Sequence, residues 1–128
     1  MIEIYDASEV VSLDIKQITE GIKSNPQISK SGMILVHNGI VRAFSRDGRP
    51  VSVVSVSLDE DLLKDIVDDA QKMDGIIEVR VAIRIGDLKL GEDMMLLAVA
   101  GDIREHVIAC MARTLDRIKK DAVVKIER

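Results

Sequence analysis

Residues 76–101, IIEVRVAIRIGDLKLGEDMMLLAVAG, carry the pattern that decides the fold. Val79, Val81, Ile83 and Ile85 alternate with Arg80, Ala82 and Arg84, which predicts a strand with two different faces. A second apolar run, Met94 to Ala100, follows expected turns at Gly86 and Gly91, so a second strand is predicted beside the first.

Toward the C-terminus the period changes from two to about 3.6. Ile103, Val107, Met111, Thr114 and Ile118 form one helical face, widened by Ile108 and Leu115. Asp102 is expected to cap this helix, with Glu105 completing a capping box. Val123, Val124 and Ile126 then read as a short last strand.

Toward the N-terminus, Leu62, Leu63, Ile66, Val67, Ala70 and Met73 predict a helix, with Ser57 and Glu60 as its capping box and Gly75 as its stop. Before it, residues 31–58 read as strand, arginine-rich loop, strand, with Asp47-Gly48 as a turn dipeptide and Gly39 marking a bulge or a close backbone approach. Leu13, Ile15, Ile18 and Ile22 give a further helix that stops at Asn25-Pro26, and Ile2 and Ile4 a first strand. The order β-α-β-β-α-β-β-α-β predicts an α+β fold, a sheet with helices packed on it, as a single domain over residues 1–128.

Composition excludes several function classes. Tyr5 and Phe44 are the only aromatics, so stacking platforms for nucleic-acid bases are not available. A net charge of -4 argues against general attraction to nucleic acid or anionic membrane, so an anion site has to be local. Cys110 is alone, which rules out an intrachain disulfide, fits a reducing cytoplasm and reads as a small buried hydrophobe. No Cys/His spacing suggests a metal site, and no cofactor motif is present. No apolar run reaches the length of a membrane span, and residues 1–11 lack the basic start and apolar core of an export signal.

The local candidates are cations: Arg42, Arg46, Arg49, Arg84, Arg104, Lys119 and Lys125. Arg104 stands out because a cation in the first turn of a helix opposes the macrodipole unless an anion binds there. Lys119 and Lys120 have a plain explanation as complements to a helix C-terminus. His37 and His106 read as surface or satisfied core residues rather than acid or base groups.

The stretches SGMILVHNGIVR (31–42) and EVRVAIRIGDLKLGEDMMLLAVAGDIREHVIACMARTLDRIKKDAVVKIER (78–128) together resemble the large, catalytic subunit of molybdopterin synthase, the MoaE family, from about Ser31 to the C-terminus. The most specific part is the segment Arg84 to Glu92. The resemblance implies a two-layer fold of α/β-hammerhead type, a homodimer within a heterotetramer, and a small ubiquitin-like sulfur carrier (MoaD type) as partner. The implied reaction is sulfur transfer from the carrier's thiocarboxylate to cyclic pyranopterin monophosphate in molybdenum cofactor biosynthesis. It implies Lys119 and Lys125 as catalytic residues, and Arg42 and Arg104 as ligands of the substrate phosphate. Ile83 and Ile103 stand where the family has histidines, Ile108 replaces an aromatic, and residues 122–127, AVVKIE, lack the family's Pro and Trp. A competing expectation is therefore a non-catalytic paralogue that keeps the fold and serves as a dimeric interaction or regulatory module.

Overall fold

The computed structural model describes residues 1–9 and 13–128. Along the chain lie β1 (Ile2–Asp6), α1 (Ile15–Lys23), a 3-10 turn (Ile28–Lys30), β2 (Met33–Ile40), β3 (Val53–Leu58), α2 (Glu60–Gln71), β4 (Ile76–Lys89), β5 (Asp93–Gly101), α3 (Arg104–Arg117), a π-helical turn (Ile118–Ala122) and β6 (Val123–Glu127). The order of strands and helices is the one the periodicities predict. Ser12, Val10 and Val11, which fall within the stretches read above, lie outside the described residues.

β4 organises the sheet, whose order is β2-β5-β4-β3-β6 with β1 added on β4. Its first part pairs antiparallel with β5, Val81 opposite Leu97 and Ile83 opposite Met95, while Val81 to Ile85 pair in parallel with Ile2 to Asp6. From Gly86 to Lys89 it pairs instead with Val56 to Val53 of β3. Gly86 therefore lies inside the strand rather than in the expected turn. It sits at φ 99°, and an added Cβ would come 3.2 Å from the Ala7 side chain. Only glycine adopts that backbone without strain, and the bend lets one strand serve both parts of the sheet. The hairpin turn itself is confined to residues 90–92, with Gly91 at φ 81°.

β5 is buried on both faces, which is why it reads as an unbroken apolar run. Leu97 and Val99 join Val79, Val81 and Ile83 beneath α2 and α3. Leu96, Ala98 and Ala100 face the other way and pack with Ala82 against Leu13, Ile18 and Ile22 of the α1 segment. The alanines keep that face shallow, so α1 can approach the sheet closely. Each fully buried Leu, Ile or Val contributes about 1.5–3 kcal/mol relative to exposure, whereas a surface ion pair such as Arg117–Asp69 is screened by solvent and contributes little. The two aliphatic layers hold the fold.

Two capping predictions are corrected. α2 is capped by Asp59, whose carboxylate accepts from Leu62 N–H at 3.0 Å; Ser57 belongs to β3. α3 begins at Arg104 with Ile103 at the cap position and no side-chain cap. Asp102 turns its carboxylate to Ile103 N–H and to His106 instead, because the adjacent backbone is held by Asp102 N–H donating to Gly75 O at 2.9 Å. Ile103 and Ile108, expected on the buried face of α3, are 50% and 53% exposed, and Cys110 takes a fully buried place there. The bulge read at Gly39 is present as a register shift between Gly39 and Ile40.

Gly75 has φ 75°, and a Cβ there would run into the Asp102 carboxylate and the His106 ring. Gly75→Ala is expected to lower stability by about 1–3 kcal/mol, read as a lower denaturant midpoint at unchanged m value.

Candidate functional site

Lys119 is presented by the π-helical turn. Ile118 and Ala122 are buried, and Asp59 N–H donates to Ala122 O at 2.8 Å, which fixes the turn to the start of α2. With both ends of the turn held in the core, Lys119, Lys120 and Asp121 are turned outward and exposed. A π turn widens the helix and is common at functional sites. Lys125 lies on β6 opposite Val56 of β3 and is also exposed.

Arg42 follows Val41, which is buried and locked to the β4–β5 turn: its N–H donates to Glu92 O at 3.0 Å and its carbonyl accepts from Gly91 N–H at 2.8 Å. Arg42 therefore leaves the far end of β2, exposed. Arg104 occupies the first position of α3, next to the start of β2, where Gly32 N–H donates to Gly101 O at 2.8 Å.

These positions decide what one chain brings together. Fifteen residues of helix separate Arg104 from Lys119, roughly 20 Å along the axis. Arg42 and Arg104 lie at opposite ends of β2, roughly 25 Å apart. One chain thus separates the helix-start arginine from the lysines. Of the other cations, Arg84 is buried, its guanidinium donating to Glu9 O at 3.4 Å, and Arg49 pairs with Asp47 in its own turn at 2.9 Å.

His37 lies on β2. Strand alternation puts Leu35, His37 and Gly39 on the face that α3 covers. Burial, and then the Lys119 charge, hold the His37 imidazole below the ordinary histidine range. Its Nε2 is enclosed without a hydrogen-bond partner among the described residues, a condition that costs about 1–3 kcal/mol. Sequence reasoning passed over His37. The sequence placed it in a strand, but nothing in the sequence showed that its ring nitrogen would be enclosed.

A second histidine pair lies at the other end of α3. His106 Nδ1 and Asp102 Oδ1 are 2.7 Å apart, and that hydrogen bond raises the histidine and lowers the aspartate from their usual ranges. On the α1 face, a pocket of about 250 Å³ is lined by Glu3, Tyr5, Asp14, Gln17 and Arg80. Within it Tyr5 OH donates to Glu3 at 2.5 Å, and Arg80 donates to Glu78 and to Gly21 O. Among the described residues no group of three or more His, Cys, Asp or Glu side chains is set to hold a metal ion, and no helix is long and apolar enough to cross a membrane.

This sheet with its helices is the fold of solved molybdopterin synthase large subunits. A molybdopterin synthase structure from Staphylococcus aureus matches with a TM-score of 0.76 at 23% identity, covering 98% of this chain and 89% of that one. Molybdopterin cofactor biosynthesis protein E from Burkholderia multivorans gives 0.78 at 18% identity, covering 98% and 80%. A complex of subunits 1 and 2 of molybdopterin-converting factor from Helicobacter pylori gives 0.72 at 20%, covering 98% and 83%. No curated protein sequence matches the chain. The family model described as MoaE protein matches residues 9–121, and the chain belongs to that family. The match reaches well before Ser31, where the resemblance in sequence was expected to begin, and ends before Lys125. Membership supports a role in molybdenum cofactor biosynthesis.

The His106–Asp102 pair sets a pH dependence. With the histidine raised, its contribution to stability is complete below the unfolded histidine pKa and disappears as pH rises through the folded value; the lowered aspartate loses its contribution as pH falls through its own depressed value. Stability from the pair is therefore greatest between these limits. His106→Gln should flatten the melting temperature between pH 6 and 8 relative to the parent protein, measured by calorimetry.

Proposed function

We propose that this protein is a molybdopterin synthase large subunit, which moves sulfur from the thiocarboxylate of a ubiquitin-like carrier to cyclic pyranopterin monophosphate. The observation that carries the reading is Lys119, exposed on a π turn whose two ends are anchored in the core, within a chain whose family match spans it. The Helicobacter pylori relative is a complex of two subunits, which supports a carrier of the MoaD type as partner.

In this reading the carrier's C-terminal tail lies along the π turn. The Lys119 ammonium faces its acyl carbon and sulfur and stabilises the negative charge that develops as the sulfur is transferred. Lys125, on the adjoining strand, assists. Arg42 and Arg104 hold the substrate phosphate through charge-assisted hydrogen bonds. Because Arg104 and Lys119 stand at opposite ends of α3, the arginine serving a given lysine comes from the second chain of a homodimer.

Turnover by the protein with a thiocarboxylated carrier and cyclic pyranopterin monophosphate tests this, the product being read after oxidation to its fluorescent form. Lys119→Ala should lower kcat by about 100-fold or more. Arg104→Ala should mainly raise the KM for the pyranopterin. Mixing an inactive Lys119→Ala chain with an inactive Arg104→Glu chain should restore activity to about a quarter of the parent value, since half the dimers are mixed and each then has one whole site. No product, in a mixture where an authentic large subunit turns over, assigns the protein to the interaction-module reading. Product without recovery on mixing puts both groups in one chain's site.

A further inference from the structure

The sheet ends differently at its two edges. β6 closes one end with five residues that include Lys125 and Glu127, charges of the kind that keep an edge strand from pairing with another chain. β2 closes the other end, and among the described residues it pairs with β5 alone. Its eight residues, MILVHNGI, include no proline, lysine, arginine or carboxylate. Ile34 and Val36 on one face and Met33 and Leu35 on the other are only half-buried, so apolar surface on both sides of the strand is left in solvent.

The helix above this edge is open in the same direction. α3 packs on β5 and β2, and α2 on β4, so one flank of α3 faces α2 and the other faces out over β2. Cys110 Sγ lies 3.8 Å from Ala70 O, and Arg117 Nη1 2.8 Å from Asp69 Oδ2, which fixes the flank toward α2. At about 100° per residue, Arg104, Ile108 and Leu115 fall on the opposite flank, across the buried line of Val107, Met111, Thr114 and Ile118. Ile108 is 53% exposed and Leu115 half-buried. The open strand and the apolar helix flank form one continuous surface.

This surface is complementary to itself. A two-fold axis normal to the sheet, beside the middle of β2, sets two copies of the strand antiparallel, continues the sheet through both chains and keeps both α3 helices on one side. The helices then run antiparallel. Residues 108 and 115 are equidistant from a point between Met111 and Ala112, so Ile108 meets the partner's Leu115. Residues 104 and 119 are equidistant from the same point, so the symmetry also carries Arg104 to the end of α3 that bears the partner's Lys119.

We propose that a second copy of this chain docks along the open edge of β2 and the Ile108–Leu115 flank of α3, joining two sheets into one and setting Arg104 beside the partner's Lys119. The purpose of that juxtaposition rests on the synthase reading above. Two cations so placed repel until an anion lies between them, so the substrate phosphate completes the interface as well as the site, and by linkage its binding strengthens the dimer.

The surface is tested on the full protein without turnover. Sedimentation should show a dimer. Ile108→Glu, a change at an exposed side chain, should raise its dissociation constant by about tenfold or more at an unchanged circular dichroism spectrum, while Ile126→Glu on β6 should leave it within about twofold. A monomeric parent protein, or a dimer that Ile108→Glu leaves intact, overturns the proposal. Ala112→Cys, exposed beside the symmetry point, should give a disulfide-linked dimer under mild oxidation, and Val124→Cys on β6 should not; no cross-link at position 112 overturns it. Inorganic phosphate at constant ionic strength should tighten the parent dimer and leave that of Arg104→Ala unchanged. A parent dimer indifferent to phosphate overturns the pairing of Arg104 with the partner's Lys119. If the Ile108-dependent dimer forms while the parent protein gives no product in the turnover assay, the synthase reading has failed and the interface stands.

Discussion

Every other element depends on the backbone hydrogen bonding of β4. Over Ile76–Lys89 it pairs with β5 on one side, takes β1 in parallel, and beyond Gly86 passes to β3. It meets its three partners along one continuous run, and Gly86, at φ 99°, stands where pairing passes from β1 to β3. Through β3 this pairing also sets β6, which pairs antiparallel with β3 from Val54–Glu127 to Leu58–Val123. The lysine-bearing end of the chain is thus positioned by a glycine more than thirty residues upstream.

The core turns this pairing into a rigid frame. β5 is buried on both faces, large residues toward α2 and α3, alanines toward α1. α3 leaves β5 at Gly101 and runs back across the sheet toward the C-terminal end of β2. Its length then fixes a separation that loops could not: Arg104 at one end, Lys119 at the other. The π turn completes the arrangement. Ile118 and Ala122 are buried at its two ends, and Lys119 is turned outward just before the chain enters β6.

Charges act locally in this protein. The ion pairs Lys16–Glu20, Arg49–Asp47 and Arg128–Asp87 lie in solvent, where each contributes little to stability. The informative polar groups are those for which the fold limits the choice of partner. Asp102 has His106 and Ile103 N–H because Gly75 leaves room for them. His37 has an enclosed nitrogen without a hydrogen-bond partner among the described residues.

The sequence by itself determined the elements and their order. Alternation in residues 79–85 and 94–100, helical spacing in 62–73 and 103–118, and the turn residues between them are local properties, so the α+β class and the family resemblance could be read without coordinates. Local pattern failed where two segments compete for one group. Ser57 reads as a cap until β3 claims it and Asp59 takes the role, and Gly86 reads as a turn until β3 pairs with the strand around it. Lys119, Lys125, Arg42 and Arg104 could be named from the sequence, but not the distances between them, because those follow from the length of α3 and the span of β2 across a shared sheet. The surroundings of His37 were settled only by tertiary structure: what covers a strand face depends on packing between residues far apart in the chain, and an enclosed nitrogen without a partner has no signature in the order of residues.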